Sequence, residues 1–180
     1  MEPLADLPGK STLGRLWYEY KVIQIARKAA VQRHLDPAPY LEQEKAKERE
    51  IRAEAEVHPL WPWLSEVKGI GPLMLAGLVA TIDDPARWDT ISRLWKSGGL
   101  HVDSEGNAVR KKKGEKATWH RPFRECIFLC DRQLMMAEGA YYALSREYRT
   151  RYDAVHPDWP DGRREWAARR KMIKVFLYHV

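Results

Sequence analysis

Apolar side chains recur at intervals of three and four residues along most of the chain, which is the period of amphipathic helices. The first such stretch begins at Ser11 or Thr12, either of which can cap a helix, and continues to about His34. A second, mostly charged stretch runs from about Tyr40 to Val57. Because a helix this polar must face solvent or pair with another helix, we predict an antiparallel helical hairpin or part of a coiled coil over residues 1–57. A coiled coil there would allow a homodimer through these helices.

The stretch LSEVKGIGPLMLAGLVATI, residues 64–82, has two glycines followed by Pro72 and an apolar helix. The glycines permit a tight bend, and Pro suits a first helical position, where the amides that follow carry a partial positive charge. This pattern predicts a helix-hairpin-helix turn that binds phosphate through the main chain. Its predicted contacts are Lys68, Gly69, Ile70, Gly71 and Leu73, with Lys68 as a counter-charge. The alternative is a plain Gly-Pro interruption between two packed helices.

The second half of the chain also has helical periodicity. Three further long helices are predicted after a short one that Thr90 opens: one after Arg121-Pro122, one from Tyr141 to Tyr152, and one from Arg163 to Tyr178. The first is predicted to bury Phe123, Cys126, Ile127, Cys130, Leu134 and Met135, and the last Trp166, Ile173, Phe176 and Leu177. Residues 100–118 indicate a β-hairpin or a long loop. The predicted fold class is therefore mainly α, with a helix-hairpin-helix domain over 58–180 and the N-terminal helices as an extension.

Composition narrows the class of protein. The sequence is 44% hydrophobic and 31% charged, its apolar runs are shorter than a membrane span, and its N-terminus lacks the layout of a signal peptide. We expect a cytoplasmic protein that does not bind a membrane. Cys126 and Cys130 lie in an apolar helical run, so reduced core thiols are favoured over a disulfide. Without a second cysteine pair to join His101 or His120, no metal and no cofactor is predicted.

The net charge of +6 is concentrated in two places. One loop carries Arg110, Lys111, Lys112, Lys113 and Lys116, and the C-terminal region carries Arg163, Arg164, Arg169, Arg170, Lys171 and Lys174. Two basic clusters and a phosphate-type hairpin on one chain indicate nucleic acid rather than an acidic protein or a membrane surface, although each cluster alone is compatible with a solvated face. The predicted contacts are the loop cations together with Arg169, Arg170 and Lys174.

The order of these features resembles a known family. Gly-Ile-Gly-Pro, an apolar helix, the turn 84–88 (DPARW), the element Gly99-Leu100, a basic loop and a terminal helix are similar to the C-terminal domain of the one-ten family of insertion-sequence transposases. The resemblance covers about Trp63 to Val180. It implies a two-part enzyme, in which a RuvC-like domain with a DEDD set of metal-binding acids and a helical linker precede this domain. Residues 12–57 take the place of the linker.

The sequence departs from the family in two ways that matter for activity. A RuvC-like domain needs strands with acids before the linker, and only a short lead precedes the first predicted helix, so metal-dependent cleavage by this chain alone is not expected. The family's serine nucleophile matches Ser104 best, yet its neighbours Asp103 and Glu105 are acidic and no base is evident. A plain turn serine is the favoured interpretation.

Several functions follow as hypotheses. The first is a DNA-binding protein that grips duplex or branched DNA through backbone phosphates. The second is the C-terminal part of a split transposase or recombinase, completed by a RuvC-like protein partner, with Ser104 as nucleophile. The third is a protein-interaction module that docks through the acidic helix. Guide or structured RNA is a further candidate partner, because the family is guided by RNA and Trp119 and His120 flank the basic loop.

Overall fold

A computed structural model of the protein describes residues 11–111 and 113–180, and over these residues the predicted mainly α class is confirmed. Apart from one 3-10 turn at Pro85–Arg87, the regular elements of this part are helices. They are α1 (Thr12–Gln32), α2 (Ala38–Glu56), α3 (Trp61–Leu64), α4 (Pro72–Ile82), α5 (Ile91–Ser97), α6 (Arg121–Met136), α7 (Ala140–Val155) and α8 (Asp161–His179). None of the helices in the described ranges is both long enough and apolar enough to cross a membrane.

The chain divides into two compact units. The first comprises the described residues up to Leu64 together with Gly71–Asp83, and the second comprises Ser65–Ile70 together with Asp84–Val180. The helix α4 belongs to the first unit because it packs with α1 and α2. The domain boundary between residues 57 and 58 stays a prediction.

In the first unit, α1 and α2 pack against each other. The side chain of Ser11 caps α1 by accepting a hydrogen bond from the Gly14 amide at 3.1 Å. Arg27 of α1 pairs with Glu44 of α2 at 2.6 Å, and the Tyr20 hydroxyl donates to Glu48 at 3.1 Å. Part of the charge on α2 is therefore bound by side chains of α1. A homodimer through the same helices stays a prediction.

The apolar helix α4 contributes much of the core of the first unit, as its sequence predicts. Leu75, Ala76 and Leu78 are buried, and α4 contacts both α1 and α2. A Cβ on Gly14 of α1 would lie 3.4 Å from the Cα of Ala80, so the backbones of α1 and α4 approach closely at this point. Because α4 packs against two helices, apolar side chains on nearly all of its sides can be buried.

The second unit is built from α5 to α8, with α7 and α8 packed along each other. Phe123 and Cys130 of α6 and Phe176 of α8 are fully buried, and both cysteines of α6 are free thiols, as predicted. The predicted inward face of α6 is confirmed except for Met135, which is only partly buried. Arg149 of α7 bonds the carboxylates of Asp153, Asp161 and Glu165, which fastens α7 to α8.

The described residues between α5 and α6, 98–111 and 113–120, lie in a loop whose regular pairing is one antiparallel bridge between Val102 and Ala108. Of the two alternatives drawn from the sequence, the long loop is therefore the better description. Thr90 caps α5 and Asp84 caps the 3-10 turn, as their positions predict.

Candidate nucleic-acid interface

The first half of the predicted hairpin turn is packed against the end of α6. Gly69 has a φ of +94°, and a Cβ there would lie 2.6 Å from the carbonyl oxygen of Gln133 and 2.9 Å from the Cβ of Ala137. The Cβ of exposed Lys68 lies 3.0 Å from the position that a Cβ of Gly139 would occupy. Gly69 is thus required by packing against the protein itself, rather than by the approach of a ligand.

The second half of the turn leaves room for a ligand at the start of α4. Ile70 is buried, and its amide donates to the Val67 carbonyl at 3.0 Å. The Gly71 carbonyl accepts the first bond of the helix, from Met74 at 2.9 Å, so the amides of Gly71 and Leu73 precede the helical bonding pattern. A Cβ on Gly71 would meet nothing within 4 Å. However, the helix before the turn, α3, has only four residues, and a helix-hairpin-helix core is not confirmed.

Ser104 lies at the exposed tip of a tight turn in the 98–120 loop. One carboxylate oxygen of Asp103 accepts from the amides of Glu105 at 3.0 Å and Asn107 at 2.8 Å, and Gly106 has a φ of +77°. Asp103 therefore holds the turn in shape. Among residues 11–111 and 113–180, no base hydrogen-bonds to the Ser104 hydroxyl, so nucleophilic activity of this serine stays a hypothesis.

The basic loop lies on the surface of the second unit, between the Ser104 turn and α6. Arg110, Lys111, Lys113 and Lys116 are all exposed, whereas Lys112 lies outside the described residues. The four described side chains are in position to meet a polyanion in solvent.

The second unit has a groove of about 990 Å³, bounded by residues 98–110, α6 and the N-terminal half of α8. We call it the α6–α8 groove. Its lining includes five arginines, namely Arg110, Arg124, Arg163, Arg169 and Arg170. Three acids also line it, Asp103, Glu115 and Asp131, which is two fewer than the arginines. The groove therefore carries an excess of positive charge.

Arg169, one of the predicted contacts, is held by Asp131 of α6. Its Nη2 lies 2.5 Å and its Nε 3.2 Å from the two carboxylate oxygens, and its guanidinium lies 4.5 Å from the centroid of the Trp166 ring. Asp131 is only 6% exposed, and burial raises its pKa in spite of the opposing effect of Arg169. The charge of Arg169 is compensated, so this side chain mainly joins α6 to α8.

Four other cations of the groove and its margin have no carboxylate partner among the described residues: Arg124, Arg163, Arg170 and Lys174. Burial lowers the pKa of Arg170; Tyr152 opposes this shift, and the guanidinium groups of Arg124 and Arg163 add to it. Burial also lowers the pKa of Lys174, with Lys171 and Arg170 as additional causes. Positive charge near a partly buried cation disfavours its protonated form, so Arg170 and Lys174 lie in a region of positive potential.

Two of these cations are oriented by other side chains. Arg124 donates to the Gly99 carbonyl at 2.7 Å and lies 4.5 Å from the Trp119 ring centroid. Lys174 lies 5.0 Å from the ring centroid of Trp95. Cation–π contacts of this kind hold a charge in place without neutralising it. Both side chains are therefore oriented by contacts within the protein.

Two buried polar atoms close to these cations lack a hydrogen bond within the described part of the chain, the Nδ1 of His101 and the Nε1 of Trp95. Burial lowers the pKa of His101, and Lys96, Arg124 and Lys174 lower it further. The positive potential of the α6–α8 groove thus extends to α5.

An aromatic stack positions Arg163 at the start of α8. The rings of His156 and Trp159 are 3.9 Å apart and inclined by only 4°, and the Arg163 guanidinium lies 3.9 Å from the Trp159 centroid. Trp166, predicted to point inward, is instead 50% exposed and lines the groove. That prediction was wrong, because the Trp166 ring contacts the Arg169 guanidinium at the surface and is not buried in the core of the second unit.

Sequence reasoning missed Arg124, Phe128 and Trp166 as site residues, and it placed Arg163 in a basic cluster without selecting it. The available signal was the spacing of Arg163, Trp166 and Arg170 at three and four residues, which puts them on one side of a helix. Arg124 and Phe128 carry a similar i, i+4 signal on α6.

The chain matches no protein-family model, no curated protein and no solved structure. The resemblance to transposases therefore adds nothing to the geometry of the site.

Proposed function

We propose that the protein binds nucleic acid through backbone phosphates, with duplex or branched DNA as the ligand and the α6–α8 groove as the main contact. One observation carries the proposal: Arg124, Arg163, Arg170 and Lys174 are partly buried without carboxylate partners in the described residues. Burying uncompensated cations costs free energy, which an anion can offset. Guanidinium groups bind phosphate in a bidentate manner, so phosphate suits this arrangement.

Two further elements support the same ligand class. The exposed loop cations Arg110, Lys111, Lys113 and Lys116 extend the positive surface of the second unit. In the first unit, the amides of Gly71 and Leu73 are a separate candidate for one phosphate at the start of α4. All of these contacts are to phosphate rather than to base edges, so we expect little sequence preference and a strong dependence on salt.

The experiment measures fluorescence anisotropy of labelled duplex DNA, a four-way DNA junction, single-stranded DNA and structured RNA. The variant Arg170→Gln/Lys174→Gln removes one cation of the groove and one at its margin, and Arg49→Gln/Arg52→Gln removes the same charge from exposed positions of α2. Because a hydrogen bond to a charged group contributes about 1.5–3 kcal/mol, the groove variant should lose at least about tenfold in affinity. The α2 variant should lose much less.

Equal losses in the two variants would show a non-specific charge effect and contradict the proposal. Gly71→Val tests the start of α4 independently, because a Cβ there meets no neighbour within 4 Å, so the added side chain should interfere mainly with a ligand. Absence of binding to every probe at low salt would instead favour the protein-interaction hypothesis, with α2 as the surface to test.

A second candidate function is the split recombinase with Ser104 as nucleophile. Its supporting observation is that Asp103, Gly106 and Asn107, from the same turn as Ser104, line the α6–α8 groove, where DNA would lie. The resemblance implies a RuvC-like partner that supplies the metal-binding acids. Unchanged strand transfer by Ser104→Ala in a system reconstituted with such a partner would refute this function.

A further inference from the structure

Two aromatic side chains stand half exposed on opposite helices of the α6–α8 groove. Phe128 of α6 is 51% exposed and Trp166 of α8 is 50% exposed, and both line the groove. An aromatic side chain has a large apolar area, so leaving half of it in water within a concave site forgoes substantial burial. A planar ligand that covers these rings would recover that stabilisation.

Trp166 is held in position before any ligand binds. The guanidinium of Arg169 lies 4.5 Å from its ring centroid, and Arg169 is in turn fixed by two contacts to the carboxylate of Asp131. The ring is therefore anchored through a chain of side chains that ends on α6. Preorganisation of this kind lowers the entropic cost of stacking a ligand on the ring.

The neighbouring Trp159 has a different role. Its ring stacks on His156 with centroids 3.9 Å apart and also contacts the Arg163 guanidinium at 3.9 Å. Since Trp159 is already stacked by protein groups, it positions Arg163 for a phosphate. Phe128 and Trp166 are the exposed rings among the aromatic residues that line the groove, so they are the ones placed to contact a base.

We infer that the α6–α8 groove holds an unpaired nucleotide, with its base stacked on Phe128 and Trp166 and its phosphates on the surrounding cations. This inference rests on the proposed nucleic-acid binding and names the form of the ligand. A volume of about 990 Å³ is sufficient for a nucleotide-sized group, since small-molecule sites span about 300–1,000 Å³. In a duplex both faces of each base are covered by stacking, whereas an unpaired base offers its faces to aromatic side chains.

The ligand class is therefore single-stranded nucleic acid, or a branched or bulged duplex that presents unpaired nucleotides. Stacking does not depend on the identity of the base, which agrees with the weak sequence preference expected of the phosphate contacts. DNA and RNA share this chemistry, and both belong in the test.

The test compares three labelled probes of matched length, a dT20 strand, an rU20 strand and a perfect DNA duplex, together with the same duplex carrying a three-nucleotide bulge. The protein is assayed as wild type, Phe128→Ala/Trp166→Ala and Tyr178→Ala; the last removes an exposed aromatic ring of α8 that does not line the groove. Because one base stacked on an aromatic ring contributes about 1–3 kcal/mol, the double variant should bind the single strands and the bulge about 5- to 150-fold more weakly. Its affinity for the perfect duplex should stay within about twofold of wild type, and Tyr178→Ala should behave as wild type.

Trp166→Phe keeps an aromatic ring at this position, so it should bind the single strands and the bulge with most of the wild-type affinity. A variant that fails to fold would not bind them. Phe128→Ala alone gives a second reading if removal of Trp166 disturbs Arg169. If the double variant binds the single strands as wild type does, the stacking site is refuted while phosphate binding stands. If wild type binds none of the probes at low salt, the proposed function fails as well.

Discussion

The two glycines of the hairpin turn should respond oppositely to the same substitution. Gly69 has a φ of +94°, and a Cβ there would lie 2.6 Å from the Gln133 carbonyl oxygen, whereas Gly71 has a φ of −118° and an open surrounding. Gly69→Ala should therefore destabilise the protein, and Gly71→Ala should not. Both substitutions add one methyl group to the same turn, so each is the matched control for the other.

The magnitude follows from two separate costs at Gly69. Placing alanine in left-handed backbone costs about 1–2 kcal/mol, and relieving the collision with a backbone atom costs about 1–3 kcal/mol. The free energy of unfolding should fall by about 2–5 kcal/mol in Gly69→Ala. In Gly71→Ala it should stay unchanged or rise by up to about 1 kcal/mol, because alanine restricts the unfolded chain.

Urea unfolding followed by circular dichroism at 222 nm measures both values. A Gly69→Ala variant as stable as Gly71→Ala would refute the packing of this turn against α6. The outcome also affects how binding data are interpreted. If Gly69 is needed for folding, loss of DNA binding in a Gly69 variant says nothing about a phosphate site, while Gly71→Val still does.

Two further predictions concern stability and charge. Asp131→Asn breaks the pair with Arg169 and should lower the free energy of unfolding by about 1–3 kcal/mol. The same substitution should strengthen duplex binding, because it removes a negative charge from the groove. Urea unfolding measures the first effect and fluorescence anisotropy the second, and weaker binding would contradict the account. Burial, followed by the hydrogen bond to Glu48, raises the pKa of Tyr20 to about 12. Because the folded state favours the neutral phenol, Tyr20 contributes fully to the free energy of unfolding below the unfolded pKa of about 10. This contribution is lost as the pH rises to about 12. The loss should be about 1–3 kcal/mol in wild type and absent in Tyr20→Phe. Parallel pH–stability curves for wild type and Tyr20→Phe would refute the stabilising role of the neutral Tyr20 phenol.

The helices of this protein could be predicted because their signals are local. Ser11 and Thr90 cap α1 and α5, Pro72 begins α4, and the apolar spacing of α6 marks its buried face. Each signal acts within a few residues of chain. The four-residue helix α3 was missed because Pro62 and the two tryptophans of WPWL suggest an irregular corner.

The groove could not be predicted from the same signals. Asp131 and Arg169 are far apart in sequence, and their pairing depends on how α6 meets α8. Helical periodicity placed Trp166 on a face with apolar neighbours, but it could not show that Arg169 would hold the ring at the surface. The local pattern predicts Gly69 as a phosphate contact. It cannot show that Gly69 packs against the end of α6, because those residues come much later in the chain.

The central claim, that groove cations contact phosphates, is tested most directly by the salt dependence of binding. Each phosphate neutralised on duplex DNA contributes about −0.9 to the slope of log K against log salt concentration. Removing two contacts in Arg170→Gln/Lys174→Gln should therefore make the slope less steep by about 2, while Arg49→Gln/Arg52→Gln should leave it nearly unchanged. A slope in the groove variant equal to that of wild type would contradict the assignment of these cations to phosphate.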